Sequence, residues 1–204
     1  GNREGAEISQ TIGSNKTRET SVRLSGGQDT KWHVSANSMG TDGIQMRVTD
    51  PLHYPTRSAN VGLGVSGKLV EDWSYNLGLT RSEGHDESHA SAGPSDSRNQ
   101  VIDLSLEGKL SPTWTQKISL YRASNRVVSS AAFPPSDIET DRRQLSWVNE
   151  LNLGFGGLTL GVDRMHEGVS NLNPQTGAFV FDQGMVTTGV YGQFLTEWAG
   201  NDLQ

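Results

Sequence analysis

Val61-Gly62-Leu63-Gly64-Val65-Ser66-Gly67-Lys68-Leu69-Val70 runs into Glu71-Asp72 and then Trp73-Ser74-Tyr75-Asn76-Leu77-Gly78-Leu79-Thr80. On both sides of Glu71-Asp72, apolar residues occupy every second position. Small or polar residues fill the gaps. In an extended chain, alternate side chains point to opposite faces, so this pattern describes strands with one apolar and one polar face. Helical spacing of 3.6 fits neither half. The acidic dipeptide between the runs is short enough for a hairpin turn. The stretch therefore reads as two antiparallel strands, each wet on one side.

The same pattern recurs outward from it. Ile102, Leu104, Leu106 and Leu110 alternate with Asp103, Ser105, Glu107 and Lys109. Leu158, Leu160 and Val162 alternate with Thr159, Gly161 and Asp163. Gly67-Lys68-Leu69 and Trp73 return as Gly108-Lys109-Leu110 and Trp114, an offset of 41 residues. Arg81 and Arg122 each follow their tryptophan by eight residues. A period of this size fits a hairpin plus a loop, and it also fits a propeller blade, so the period alone does not decide.

Ten strands are predicted, over 5–13, 17–26, 31–40, 58–70, 73–83, 99–110, 114–126, 139–153, 158–169 and 184–200. Most reach the roughly 9–11 residues that a tilted strand needs to cross a bilayer. Their connections alternate in length. Short turns are expected at 26–30, 71–72, 111–113 and 154–157, with a fifth beginning at Asn201-Asp202. Long loops are expected at 41–57, 84–98, 127–138 and 170–183. The short connection Ser14-Asn15-Lys16 is the one exception to this order. In an up-and-down sheet, all the short turns then share one rim and the long loops share the other. Outer-membrane barrels have this asymmetry. Trp32, Trp73, Trp114 and Trp198 sit near short turns, and Phe155 sits inside one. Only Trp147 falls in mid-strand. Amphipathic aromatics collect at a membrane–water interface. Tryptophans capping a soluble sandwich core would explain burial, but not a shared rim.

Composition agrees with a one-sided sheet. Of 204 residues, 33% are hydrophobic and 24 are glycine, which is apolar-poor for a soluble globule. A net charge of −6 without a basic stripe gives nucleic-acid binding no support. There is no cysteine, hence no disulfide or thiolate metal site. No apolar run is long enough for a membrane helix, which a barrel does not need. Charges of both signs, including Arg23, Lys68, Arg81, Asp103, Glu107, Lys109, Lys117, Arg122, Glu150 and Asp163, are expected on the polar, lumen-facing side.

Few residues suggest chemistry. His85 and His89 lie four apart, but in a Gly/Ser/Pro-rich stretch where they share no helix face. Asp42 and Asp50 in the first long loop are the candidate calcium ligands, since calcium prefers oxygen donors. Ordinary acidic loop residues are the alternative. The glycine clusters lack the Lys-Ser/Thr and helix of a phosphate loop. No nucleophile–base constellation appears, so the chain is not expected to be an enzyme.

The order of motifs resembles the TonB-dependent outer-membrane receptors, and within them the cobalamin (BtuB-type) branch. The segments that carry the likeness are Trp32-His33-Val34-Ser35-Ala36, Thr41-Asp42-Gly43, Ser58-Ala59-Asn60-Val61-Gly62-Leu63-Gly64, Asp141-Arg142-Arg143-Gln144-Leu145-Ser146-Trp147, Leu158-Thr159-Leu160-Gly161-Val162-Asp163-Arg164 and Gly189-Val190-Tyr191-Gly192-Gln193. The resemblance implies an all-β, up-and-down transmembrane barrel in the outer membrane of a Gram-negative bacterium. It implies that residues 1–204 form a single partial domain of a 22-stranded barrel, without the plug and the C-terminal strands. It further implies the lipid bilayer, the TonB complex (through the plug) and a small-molecule ligand as partners. The ligand would be a corrinoid or a siderophore, contacted by loop aromatics such as Tyr54, Phe133, Phe179 and Phe181. Loop packing is the other reading of those aromatics. Two further functions stay open: a passive barrel of about ten strands closing on itself, and a soluble β-sandwich adhesin whose apolar residues meet in a dry core.

Overall fold

The computed structural model describes residues 4–44, 53–87, 93–129, 135–198 and 201–203, with backbone alone for 197–198 and 201–203. They form one antiparallel sheet in which every strand pairs with its sequence neighbours. The strands are β1 (Gly5–Ile12), β2 (Arg18–Gly26), β3 (Thr30–Thr41), β4 (Thr56–Val70), β5 (Trp73–Glu87), β6 (Pro94–Ser111), β7 (Trp114–Ser129), β8 (Ser136–Asn152), β9 (Gly157–Asn173), β10 (Ala178–Trp198) and β11 (Asn201–Leu203). The expected up-and-down order is borne out, with an eleventh strand added. Asn201-Asp202 belongs to that strand rather than to a turn, because Asn201 pairs back to Trp198.

The register sorts the side chains into two faces. On one, Trp32, Val65, Leu77, Leu104, Leu120 and Leu145 stand opposite one another across six strands. Val34, Leu63, Leu79 and Ile102 form a parallel row. None of these residues is buried, and Tyr54 is the one buried large apolar residue among those described. Among the described residues no second layer covers the apolar face, since contacts join only consecutive strands. The soluble-sandwich expectation fails on this point. The closed ten-strand alternative is not formed either, because β1 and β10 do not pair.

Aromatic rings mark the short-turn rim of this face. The Trp32 ring covers Gly26 on the adjoining strand, where an added Cβ would come within 3.0 Å of it. Trp73 lies over Gly108 in the same manner. Trp114 and mid-strand Trp147 need acceptors for their indole N–H groups in an apolar setting. Asn149 Oδ1 accepts from Trp114 at 3.0 Å and Gln116 Oε1 from Trp147 at 3.3 Å. Phe155 packs on Phe194 with ring centroids 6.0 Å apart. The backbone of Trp198 ends β10.

The other rim differs from expectation. Strand pairing runs well past the apolar alternation, so the connections shrink. The expected loop 170–183 is mostly ladder: β9 continues to Asn173, β10 starts at Ala178, and Asn173 Oδ1 accepts from the Gln175 and Thr176 N–H groups in the turn. The short connection between β1 and β2 is a turn with positive φ at Asn15 and Lys16 (54° and 53°), the primed geometry whose twist suits a tight hairpin. Two charges also change face. Arg81 stands opposite Val61, and Arg122 stands opposite Ile102, so both lie on the apolar face rather than the lumen face.

Ile118 lies midway up the apolar face, between Leu106 and Trp147, and Ser119 next to it points the other way. Ile118→Arg is expected to cost about 2–4 kcal/mol of folding free energy in a bilayer. Ser119→Arg is expected to cost well under half of that. Urea titration of both variants in lipid vesicles measures the difference, and equal costs would contradict the assignment of faces.

Candidate functional site

The polar face carries a feature that depends on register. Ser9, Ser21, Asn37, Asn60, Ser82, Asn99, Asn125 and Thr140 stand opposite one another on eight consecutive strands. Several are joined directly. The Ser9 and Ser21 hydroxyls lie 2.7 Å apart, Asn60 Nδ2 donates to Asn37 Oδ1 at 3.4 Å, and Asn125 Nδ2 donates to Asn99 Oδ1 at 2.8 Å. Asn37 also donates to Glu19 Oε1 at 2.8 Å. Amides and hydroxyls both donate and accept, so this row can bind a polar solute or a polar protein surface without selecting charge. Alternation marks each of these positions as polar. Only the pairing brings them into one line.

Charges on this face occur in both signs. Glu7 faces Arg23, Glu107 faces Lys117, and Arg142 Nη2 reaches Glu167 Oε1 at 2.6 Å. A single-sign ring of the kind that selects ions in a channel is absent among the described residues.

The expected ligand contacts separate. Tyr54 is 8% exposed, and its carbonyl backs onto Gly43, whose φ of +74° leaves no room for a Cβ. It is a packing residue of the first loop. Phe179 pairs with Leu172, whereas Phe181 pairs with Asn171, and the irregularity between them puts the two phenyl groups on opposite faces. Phe181 shares the polar face with Asn171, whose buried Oδ1 has no hydrogen-bond partner. Phe179, 60% exposed, shares the apolar face. Phe133 lies outside the described residues.

Of the two expected calcium ligands, the structure describes Asp42. Asp42 is salt-bridged to Lys16 Nζ at 2.6 Å, and that hydrogen bond holds its carboxyl below the usual aspartate range. Asp50 lies outside the described residues. No group of three or more His, Asp or Glu side chains able to hold a metal occurs among those described. His85 has a different role from a metal ligand. Its Nδ1 lies 2.7 Å from Asp96 Oδ1 across the β5–β6 hairpin, and its Nε2 lies 3.7 Å from Glu87. His89 lies outside the described residues.

No family model matches the sequence, and no curated protein does. Solved structures do match. The ferric-catecholate import receptor Fiu from E. coli K12 has a TM-score of 0.74 at 11% identity, covering 95% of this chain and 42% of Fiu. The copper transporter OprC scores 0.68 at 14% identity, covering 95% of this chain and 35% of OprC. The siderophore receptor PiuA from Acinetobacter baumannii scores 0.66 at 10% identity, covering 96% of this chain and 40% of PiuA. The chain thus spans about two fifths or less of these proteins. At such identities the shared property is the fold, an antiparallel up-and-down sheet like those in the barrels of these structures.

Asp96 raises the pKa of His85 above its ordinary value of 6.5, against a smaller opposing effect of burial. A raised pKa favours the charged form. The contribution of this pair is fully present below pH 6.5 and fades as pH rises through the higher folded-state value. NMR titration of the His85 ring should give a midpoint above 6.5, and Asp96→Asn should lower it.

Proposed function

We propose that the chain is part of the barrel of a TonB-dependent outer-membrane receptor that imports a scarce nutrient, with a metal chelate of the siderophore class as ligand. The observation that carries this reading is the match of 95% of the chain to 42% of an import receptor, with a TM-score of 0.74. The two faces support it independently. An uncovered apolar face suits lipid, and an amide- and hydroxyl-lined face suits a watered lumen or a plug.

The two open edges of the sheet carry unpaired backbone groups, which hydrocarbon does not tolerate. Further strands of the same barrel are the proposed cover, in keeping with the share of each structural neighbour that the chain spans. In this reading the TonB complex, acting on a plug domain, drives transport, and the protein sits in the outer membrane of a Gram-negative bacterium. Phe181 and Asn171 are the proposed ligand-facing pair, because they share the polar face near the rim and Asn171 has an acceptor to spare. A corrinoid, which the sequence resemblance favours, is the second reading. The neighbours that transport copper and ferric catecholate weigh the choice towards a metal chelate.

The full-length receptor in living cells tests both. Accumulation of an iron-labelled ferric catecholate is expected to exceed that of labelled cyanocobalamin and to vanish in cells lacking TonB. Phe181→Ala is expected to weaken ligand affinity about tenfold, the loss of one well-packed aromatic contact. Uptake that persists without TonB would instead mark a passive barrel.

A further inference from the structure

The apolar face ends, toward the long-strand rim, in a row of cations. Arg122 on β7 stands opposite Arg143 on β8, which stands opposite His166 on β9; Arg164 is two residues from His166 on the same face. Each lies seven to nine residues from the short-turn end of its strand, as counted from Trp114, Asn152 and Gly157. A strand rises about 3.3 Å per residue, and a tilt of about 40° leaves about 2.5 Å of height, so these groups stand roughly 20 Å above the tryptophan girdle. That is near the far edge of an apolar band about 25 Å tall. Guanidinium groups in hydrocarbon are costly, but at the headgroup level they are satisfied.

The local charge is not balanced. Asp141 is the one carboxylate among Arg122, Arg143 and Arg164. Its two oxygens take both of the first two, Arg122 Nη2 at 2.8 Å and Arg143 Nε at 2.6 Å. Among the described residues, Arg164 has no ion-pair partner. Four residues further along β7 the cation is matched: Arg126 bonds Asp137, and Glu139 stands directly opposite it. Each guanidinium has five donors, so Arg122 and Arg143 keep most of theirs free beside Asp141. Leu104, Leu120 and Leu145, with Arg164 at the end of their row, line a groove of about 470 Å³ whose upper lip is Arg122, Arg143 and His166. An apolar floor under an excess of positive charge matches an amphiphile with an anionic head and acyl chains.

We propose that this face binds a phosphate-bearing, multiply acylated lipid of the leaflet at that level, its phosphates held by Arg122, Arg143 and Arg164 and its chains lying along Leu104, Leu120 and Leu145. The proposal rests on the reading of this face as lipid-facing. Arginine suits the task because its planar fork matches phosphate oxygens in pairs.

The full-length receptor, purified in detergent, is titrated with bisphosphorylated lipid A, with its dephosphorylated form, with phosphatidylcholine and with inorganic phosphate, and binding is read by native mass spectrometry. Binding of the phosphorylated lipid is expected at least tenfold tighter than of the dephosphorylated one, as befits charge-assisted contacts. The triple variant Arg122→Gln, Arg143→Gln, Arg164→Gln should abolish that preference. Arg164→Gln alone, which breaks no ion pair and so spares the fold, should weaken binding severalfold. Arg23→Gln, on the opposite face, should leave it unchanged. Equal binding of both lipids, an unaffected Arg164→Gln variant, or inorganic phosphate competing at equal affinity would overturn the proposal. Quenching of Trp147 fluorescence by brominated lipid acyl chains tests the underlying reading separately: no quenching means that the face does not meet lipid at all, whereas quenching without lipid preference sinks the phospholipid site alone.

Discussion

A backbone in hydrocarbon has no water to satisfy its N–H and C=O groups, so each must find a partner within the protein. The antiparallel ladder meets that demand for β2 to β9, which are paired on both sides, and the other features follow from it. Pairing in an unbroken up-and-down order makes the side-chain period two. The period of two divides the sheet into an apolar and a polar face. The division in turn decides which residues can meet lipid and which can meet solute. The indole N–H groups of Trp114 and Trp147 show the same demand at the side-chain level. Each has an amide acceptor, Asn149 or Gln116, placed on the mainly apolar face near the short-turn rim.

Most of the architecture was legible because the faces leave a mark at every second residue. Strand existence, antiparallel order and the aromatic rim could all be read from the runs around Glu71-Asp72. Strand ends could not. Alternation of apolar residues reports where a strand is in contact with lipid, while the ladder continues through Asn171, Leu172 and Asn173 as readily as through Leu160. Polar hairpins beyond the membrane therefore resemble loops in sequence. Face assignments failed for a related reason at two places. Arg81 and Arg122 are charged, and charge in a strand suggests the wet face, yet their strict spacing from Trp73 and Trp114 gives them the parity of Leu77 and Leu120. Phe179 and Phe181, two apart, suggest one face, and the irregularity at Val180 separates them. No residue type announces that step.

The ion pairs beyond the apolar band add little to stability by themselves. Arg81 and Arg98 share Glu83, and Arg126 is bidentate on Asp137, but these groups are half exposed on their cationic side. Pairs in such settings contribute about 0–1 kcal/mol. Their effect is on register and on net charge. Opposite charges on facing strands penalise a slip by one residue, which would also turn the whole apolar set to the wet side. Where the matching is complete, as around Arg126, the surface is electrically quiet. Where two arginines share Asp141 and Arg164 has none, it is not.

The two faces thus offer different kinds of selectivity. On the polar face, the row from Ser9 to Thr140 offers donors and acceptors in equal supply, and Glu7–Arg23 or Arg142–Glu167 set opposite charges together. Such a surface is indifferent to charge, so discrimination between ligands has to come from elsewhere: from the rim, where Phe181 and the unpaired Asn171 oxygen stand, or from a domain within the lumen. On the apolar face the logic is reversed. A belt of Leu, Ile and Val is indifferent to which acyl chain it touches, and the uncompensated arginines at its edge are the one feature able to distinguish one lipid from another. A sheet built this way is permissive along its length and selective at its rims, because only there do side chains leave both the hydrocarbon and the ladder's strict alternation.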